Sequence, residues 1–455
     1  MDAVASKKRV GKKGANGRAT DGNHWIDVVV FTLLLIVASV VTFILFYRQT
    51  FGSEALYHSD MKAYILEMQG LDSGYSFPYP IFFKLSAFFH LFLGAETSVA
   101  LATMVLNSFS MVVLKWEFNR TVKDSLEKAF PKRSWLAGVL ISVVTVLLFF
   151  SSMLYLPNNI LLPGLRFKYL GVFTANPFHN ATYMAARPFA ILAFFSFVRL
   201  LSGYEKEYPE KIAKGDKKVI WEYVLFSVYL LLATMTKPSF TIVLVGAAGL
   251  IMLYRLFRRK FQNFVPTICL GLCFLPTFVD LLYQYKGVFV PEEGAEGGIG
   301  FCIGTVWAQY CTNFPAAICL AVGFPLLVTV LNYKEIKNNP TFRFAWQIYL
   351  MSFVMAFFLY EKGFREFDFN FSWGYMYGIF YLFVGALLVL MKATAETVKT
   401  AQTAKVTQTA KVAQTAKVAV GKKPLLLGLQ WLAYLAHVVC GVYYFWGIFR
   451  GQMYY

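Results

Sequence analysis

Charge is what this chain has least of. Only 15% of its 455 residues are Asp, Glu, Lys or Arg, and 58% are hydrophobic. A soluble domain carries roughly 25% charged residues, so an ordinary water-soluble globule is excluded. Acids are the scarcer sign, 25 against 43 Lys and Arg, which leaves a net charge of +18. The six cysteines are scattered. They lack metal-ligand spacing and read as small apolar fillers. Strict alternation of apolar and polar residues is also missing, which excludes a transmembrane β-barrel.

What is present is a series of apolar blocks of about 20 residues, the length a helix needs to cross a bilayer. The net positive charge does not indicate nucleic acid, because the basic residues lie in short segments between these blocks, where they set membrane orientation. The first block, Trp25 to Phe46, is too long for a signal-peptide core and reads as a retained span. We expect an all-α polytopic membrane protein of about eleven transmembrane helices. They fall near residues 26–47, 95–116, 135–156, 184–202, 220–235, 239–257, 264–284, 314–332, 344–361, 373–392 and 425–447. Between the first two, "PIFFKLSAFFHLFL" is too short to cross and carries Lys84 and His90, so an interfacial helix is expected there.

With the N-terminus inside, the inner segments hold about thirty Lys and Arg and the outer ones about ten. The expected location is the cell membrane, multi-pass, with a cytoplasmic N-terminus. Residues 1–24 read as a disordered basic tail, 25–392 as the transmembrane domain, 393–424 as a low-complexity cytoplasmic linker and 425–455 as a terminal helix. The linker contains a six-residue repeat, "QTAKVTQTAKVAQTAKVA", at 402–419. Its lysines step round a helix without forming a stripe.

The long, aromatic and acidic segments all face outward. "YHSDMKAYILEMQG" reads as a short helix with Ser59 or Asp60 as N-cap and Gly70 as its stop. Capping alone does not call for the neighbours His58, Lys62, Tyr64 and Glu67. "NPFHNATYMAAR" packs Asn176, His179 and Asn180 close to Arg187, an ionisable residue just inside an apolar run. Residues 180–182 also match a glycosylation sequon. "TMTKPSF" puts Lys237 at the membrane edge beside a helix start, a setting that attracts phosphate. "VPEEGAEGGIGFCIGTVWAQYCTNFP" is long and Gly-rich enough for a lid, and its Cys302 and Cys311 leave a disulfide open. Asp280 adds an acid within an apolar run. "FREFDFNFSWGYMY" interleaves Arg365, Asp368 and Asn370 with rings ending at Trp373 and Tyr375, a setting suited to a sugar.

This layout resembles the GT-C superfamily of integral membrane glycosyltransferases, including protein mannosyltransferases that use polyprenyl-phosphate sugars. The resemblance is architectural and covers about the first ten spans. It implies a polyprenyl-phosphate-linked sugar donor bound within membrane lipid. It also implies an extracytoplasmic active face and a catalytic acid in the first outer loop, here Asp60 in "HSD". Many members carry adjacent acids there and Asp60 stands alone, so the cofactor is unknown: a divalent metal is left open without an acidic pair to hold it. The expected chemistry is inverting hexosyl transfer, with Asp60 as base or acceptor-positioning acid. His58, Lys62, Asn176, His179, Asn180, Arg187, Lys237, Arg365 and Asp368 would bind substrate. The alternative is a polytopic transporter or a flippase for lipid-linked glycans. An enzyme gathers Asp60, Lys237 and Arg365 around one outward cavity, whereas a transporter opens a path to both sides.

Overall fold

Within a membrane the backbone has no water to bond, and a helix satisfies each peptide group inside its own segment. The computed structural model of the chain describes residues 24–452 apart from 54, 156–164, 166, 169, 290–296, 312, 364 and 407–412. The expectations for the N-terminal tail, for the Gly-rich stretch at 290–296 and for the middle of the repeat therefore lie outside the described residues.

The chain starts with α1 (His24–Phe51), the short α2 (Met61–Met68) and α3 (Pro80–His90), and the long α4 (Ala95–Ala129). Then come α5 (Trp135–Leu148), a 3-10 turn at Leu170–Phe173, α6 (Ala181–Gly203), α7 (Glu207–Ala213), α8 (Lys217–Thr234) and α9 (Ser239–Arg258). α10 (Phe264–Leu272) and α11 (Leu275–Phe289) are followed by β1 (Ile299–Phe301), α12 (Thr305–Tyr310) and α13 (Phe314–Leu331). α14 (Lys334–Asn338), α15 (Pro340–Phe358), β2 (Leu359–Glu361), α16 (Ser372–Val406) and α17 (Ala413–Phe449) complete the order. The two strands pair antiparallel, Gly300 opposite Tyr360.

Among the described residues, eight helices are long and apolar enough to cross a membrane: α1, α4, α6, α9, α13, α15, α16 and α17. α10 and α11 meet at a 49° bend and make a ninth if taken as one span. The chain is thus a helical protein of the multi-pass membrane type. Of the eleven spans expected, two fall short by length and composition. α5 has only 14 residues, and α8 carries Lys217, Lys218 and Glu222 among its 18. In the 393–424 stretch α16 continues to Val406 and α17 begins at Ala413.

α16 lies at the centre because it is apolar on every side, and such a helix has no face to offer water. It is buried almost without interruption from Tyr375 to Met391. Two glycines let α15 approach it closely: a Cβ on Gly378 would strike Ser352, and one on Gly385 would crowd Ala345. α3 falls where a helix too short to cross was expected. It buries Phe82, Phe83 and Ser86 while Phe88 stays exposed, and the turn beyond it exposes Leu91 and Phe92, each at 74%.

The two ends of the bundle differ, and we call the end where α1 begins basal and the end where it finishes apical. At the basal end charges close on one another across helices. Asp27 of α1 accepts from Lys115 of α4 and, at 2.7 Å, from Ser142 of α5. Glu117, 1% exposed, accepts from Arg199 of α6, whose Nε reaches Glu222 of α8 at 3.2 Å. Arg255 and Arg259 pair with Glu205. None of these pairs was singled out from the sequence.

Candidate functional site

At the apical end, segments far apart in sequence meet around Asp60. The residue occupies the N-cap position of α2, yet its side chain makes no capping bond. Its Oδ2 instead accepts from Asn180 Nδ2 at 2.7 Å and from the Tyr64 hydroxyl at 3.0 Å. The Asp60 side chain is exposed, and among the described residues its Oδ1 accepts no hydrogen bond. The carboxylate is therefore held by one oxygen and offers the other.

Asn180 explains why the α6 start belongs to this site. It is the N-cap of α6 and receives the Tyr183 N–H on Oδ1 at 2.9 Å. That leaves its amide N–H groups for Asp60 and for the Tyr64 hydroxyl, 3.0 Å away. Asn180 is 1% exposed and fully engaged, so the sequon is no glycosylation acceptor in this fold. Thr182, the second residue of the helix, donates to Asn180 Oδ1 and lies 3.1 Å from the Tyr64 hydroxyl.

Lys237 comes in from the short connector between α8 and α9 and donates to Thr182 Oγ1 at 3.1 Å. Its ammonium sits 4.6 Å from the centroid of Trp373 and 5.8 Å from that of Tyr79. Burial pushes the Lys237 pKa down to about 8, partly opposed by the Asp60 charge. One of its three N–H groups is used within the protein, so the others can serve a ligand. Two neighbouring hydroxyls, Tyr64 and Thr182, whose protons turn to Asp60 and Asn180, thus stand between the carboxylate and the ammonium.

Around this chain stands an aromatic wall. The His179 ring lies 5.4 Å from Trp373, and burial with the nearby charges of His58 and Lys237 pushes the imidazole down to about 3. His179 is consequently neutral at any physiological pH. Tyr79 and Tyr64 are buried, and burial drives both phenols above their ordinary range. Trp373 is tied through its Nε1 to Asn370, which also receives Arg365 and donates to Glu361 at 2.6 Å. Arg365 pairs with Asp368 at 2.9 Å and lies over Tyr75. Arg365 and Asp368 thus reach the site through Asn370 and Trp373, and they are already closed on each other.

The other expected residues lie in the core or on the surface around the site. Asn176 is fully buried and donates to the carbonyls of Leu148 and Ser151, which fastens the end of α5. Arg187 lies in the core among Phe149, Tyr183 and Phe380. Tyr375 packs on Trp307 at 5.0 Å, also in the core. Lys62 is exposed on α2 and His58 is exposed just before it. Cys302 and Cys311 are both free thiols. Among the described residues no three His, Cys, Asp or Glu side chains are grouped to hold a metal.

Tyr64 and Thr182 stand between the two charges, and the sequence reading noted them as polar neighbours without giving them a role. Their signal was present: Tyr64 stands four residues after Asp60 on a helix, where side chains share a face. A groove of about 550 Å³ lies beside the site, lined by Glu67, Tyr75, Ser76, Phe77, Pro78, Tyr283 and Lys286. A second cavity of about 530 Å³ continues it along α3 past Phe83 and Lys84. Phe77, which lines both, lies 5.2 Å from the Tyr64 ring, while Asp60, Lys237 and Arg365 line neither cavity. Burial raises the Glu67 carboxyl above its usual range. Compared with protein-family models and with curated proteins, the chain matches none.

Proposed function

We propose that the protein is a membrane glycosyltransferase of GT-C type, with up to eleven crossings and its apical end extracytoplasmic. It moves a sugar from a polyprenyl-phosphate-linked donor to a hydroxyl acceptor. One observation carries the reading: an exposed carboxylate, fixed through a single oxygen, lies two hydroxyls away from a buried ammonium with unused donors. Base and leaving-group stabiliser need that separation, since the anomeric carbon must sit between them.

In the proposed step the acceptor oxygen forms a bond to the anomeric carbon while Asp60 Oδ1 takes its proton. The bond from that carbon to the phosphate oxygen breaks, and the phosphate leaves with the electron pair. Attack from the face opposite the phosphate inverts the centre. Lys237 neutralises the charge that grows on the phosphate. Asn180 and Tyr64 hold Asp60 in place, and His179 stands against Trp373 as a neutral group. Lys62 and His58 stand at the exposed rim, where they can meet acceptor or headgroup.

The test is transfer in isolated membranes from a radiolabelled polyprenyl-phosphate hexose. Asp60→Asn keeps the shape and the bond to Tyr64 but removes the base. It should lower transfer about 10²- to 10⁴-fold at unchanged protein level. Wild-type transfer in that variant would remove Asp60 from the mechanism.

A transporter is favoured by one feature, the bend between α10 and α11 with half-buried Asp280 bound to Gln284 at 2.7 Å. Facilitated movement of a lipid-linked sugar across proteoliposomes without glycosyl transfer would establish that reading instead.

A further inference from the structure

The groove beside the site carries opposite charges that do not close on each other. Glu67, Phe77, Pro78 and Tyr283 line both of its parts, while Lys286 lines the first and Lys84 the second. The parts measure about 550 and 530 Å³, each large enough for a small organic group. Glu67 is half-buried, and among the described residues its carboxyl makes no hydrogen bond or ion pair. Burial raises its pKa and no cation draws it back. Lys84 and Lys286 are exposed and likewise unpaired among the described residues. The basal acids Asp27, Glu117 and Glu205 differ in kind, because each meets a base. An acid and two bases that share a groove without pairing complement a ligand that bears both signs.

The walls of the groove place those charges at one level. α3 and α11 both lean on the apical end of α8: the Ile81 N–H donates to the Met235 carbonyl at 3.0 Å, and Gln284 Nε2 donates to the Thr234 carbonyl at 3.1 Å. Lys84 stands three residues past Ile81 and Lys286 two past Gln284. Away from the α8 end both walls turn apolar. α11 exposes Val279 and Leu282, and α3 exposes Phe88. The second part of the groove runs along α3 past Phe83 and Ala87, in the direction of Phe88. Charge at one level with apolar surface beyond it suits a lipid headgroup and its chains.

We infer that this groove binds one diacyl phospholipid with a phosphoethanolamine headgroup, its ammonium answering Glu67, its phosphate answering Lys84 and Lys286, and its chains lying along α3 and α11. The rings of Tyr75 and Tyr283 in the lining add faces that attract the ammonium. A purely anionic headgroup would set a phosphate beside an unpaired carboxylate, and a choline headgroup has no N–H to donate to it. Asp60 and Lys237 line neither part, so this lipid is not a reactant. It would brace α3 and α11 against the connector that carries Lys237. The inference does not depend on the glycosyl-transfer reading.

The experiment uses the full-length protein in detergent, titrated with phospholipids that share the same acyl chains and differ in headgroup. Native mass spectrometry should show one phosphatidylethanolamine retained per chain, bound about tenfold more tightly than phosphatidylcholine or phosphatidylglycerol. Glu67→Gln keeps the shape and removes the acid. It should weaken phosphatidylethanolamine about tenfold and strengthen phosphatidylglycerol, because a like charge is gone. Lys286→Met should weaken both lipids. No retained phosphatidylethanolamine, or a wild type that prefers phosphatidylglycerol, would overturn the assignment. Equal phosphatidylethanolamine affinity in wild type and Glu67→Gln would overturn it as well, by showing that the lipid sits elsewhere. Displacement of phosphatidylethanolamine by polyprenyl phosphate would also overturn it, by giving the groove to a different lipid.

Discussion

The basal and apical ends of this bundle use the same kinds of charge for opposite purposes. At the basal end the acids between the helices are closed by bases from another helix: Asp27 by Lys115, Glu117 by Arg199, Glu205 by Arg255. At the apical end Asp60 and Lys237 are held only by neutral groups, Asn180, Tyr64 and Thr182. Closed pairs fix helices against one another and leave nothing for a ligand. Charges held by amides and hydroxyls stay reactive, and their position is set without being neutralised. Function is therefore expected at the apical end and stability at the basal end.

Breaking the basal side should give the largest effect on stability. Glu117→Leu removes the buried one of the two acids that hold Arg199, leaves Glu222, and should cost about 1.5–3 kcal/mol, read as a lower unfolding midpoint. Transfer per folded molecule should change little. If activity falls with no loss of stability, the division between the two ends is wrong. Next comes Lys237→Met, which keeps the length and removes the charge. It should reduce transfer about 10²- to 10³-fold, the usual loss for one transition-state donor, and should leave the midpoint unchanged or raised because a buried cation is gone.

Much of the comparison was legible in the sequence, and what escaped did so for physical reasons. Apolar blocks announced the helices, and polar residues at their ends announced a site. Asp60, Asn180 and Lys237 were singled out from three separate segments, and the structure joins them by hydrogen bonds. Arg187 stood equally well as a site cation, because a charge one or two turns into a helix looks the same whether it faces a pocket or the core. Only the rings of α5 and α16 decide that. The basal pairs were invisible for another reason. Asp27 and Lys115 are 88 residues apart, and no local pattern couples them. α8 shows the limit of span counting, since Glu222 lowers its apolar character and yet is the partner of Arg199.

A smaller effect separates the two roles of Asn180. Asn180→Ser keeps an N-cap oxygen but loses the amide N–H groups that hold Asp60 and Tyr64. Stability should fall by less than about 1 kcal/mol, and transfer should fall about tenfold, the worth of one bond to a charged group. A loss confined to stability would make Asn180 only a cap.

The smallest expected effect is the most specific, because it makes activity and stability move in opposite directions. Burial holds the folded pKa of Lys237 down to about 8 from its ordinary 10.5. Between those values the unfolded chain keeps a proton that the folded protein has released, so the protein grows more stable as pH rises. Over the same interval the ammonium that would neutralise the leaving phosphate disappears, so transfer should decline from about pH 8 upward. Unfolding midpoints and initial rates at pH 7, 8 and 9 measure both. In Lys237→Met both slopes should flatten. A rate that declines together with the midpoint, or that keeps its slope in the variant, would place the titrating group elsewhere and return Lys237 to the role of a buried structural cation.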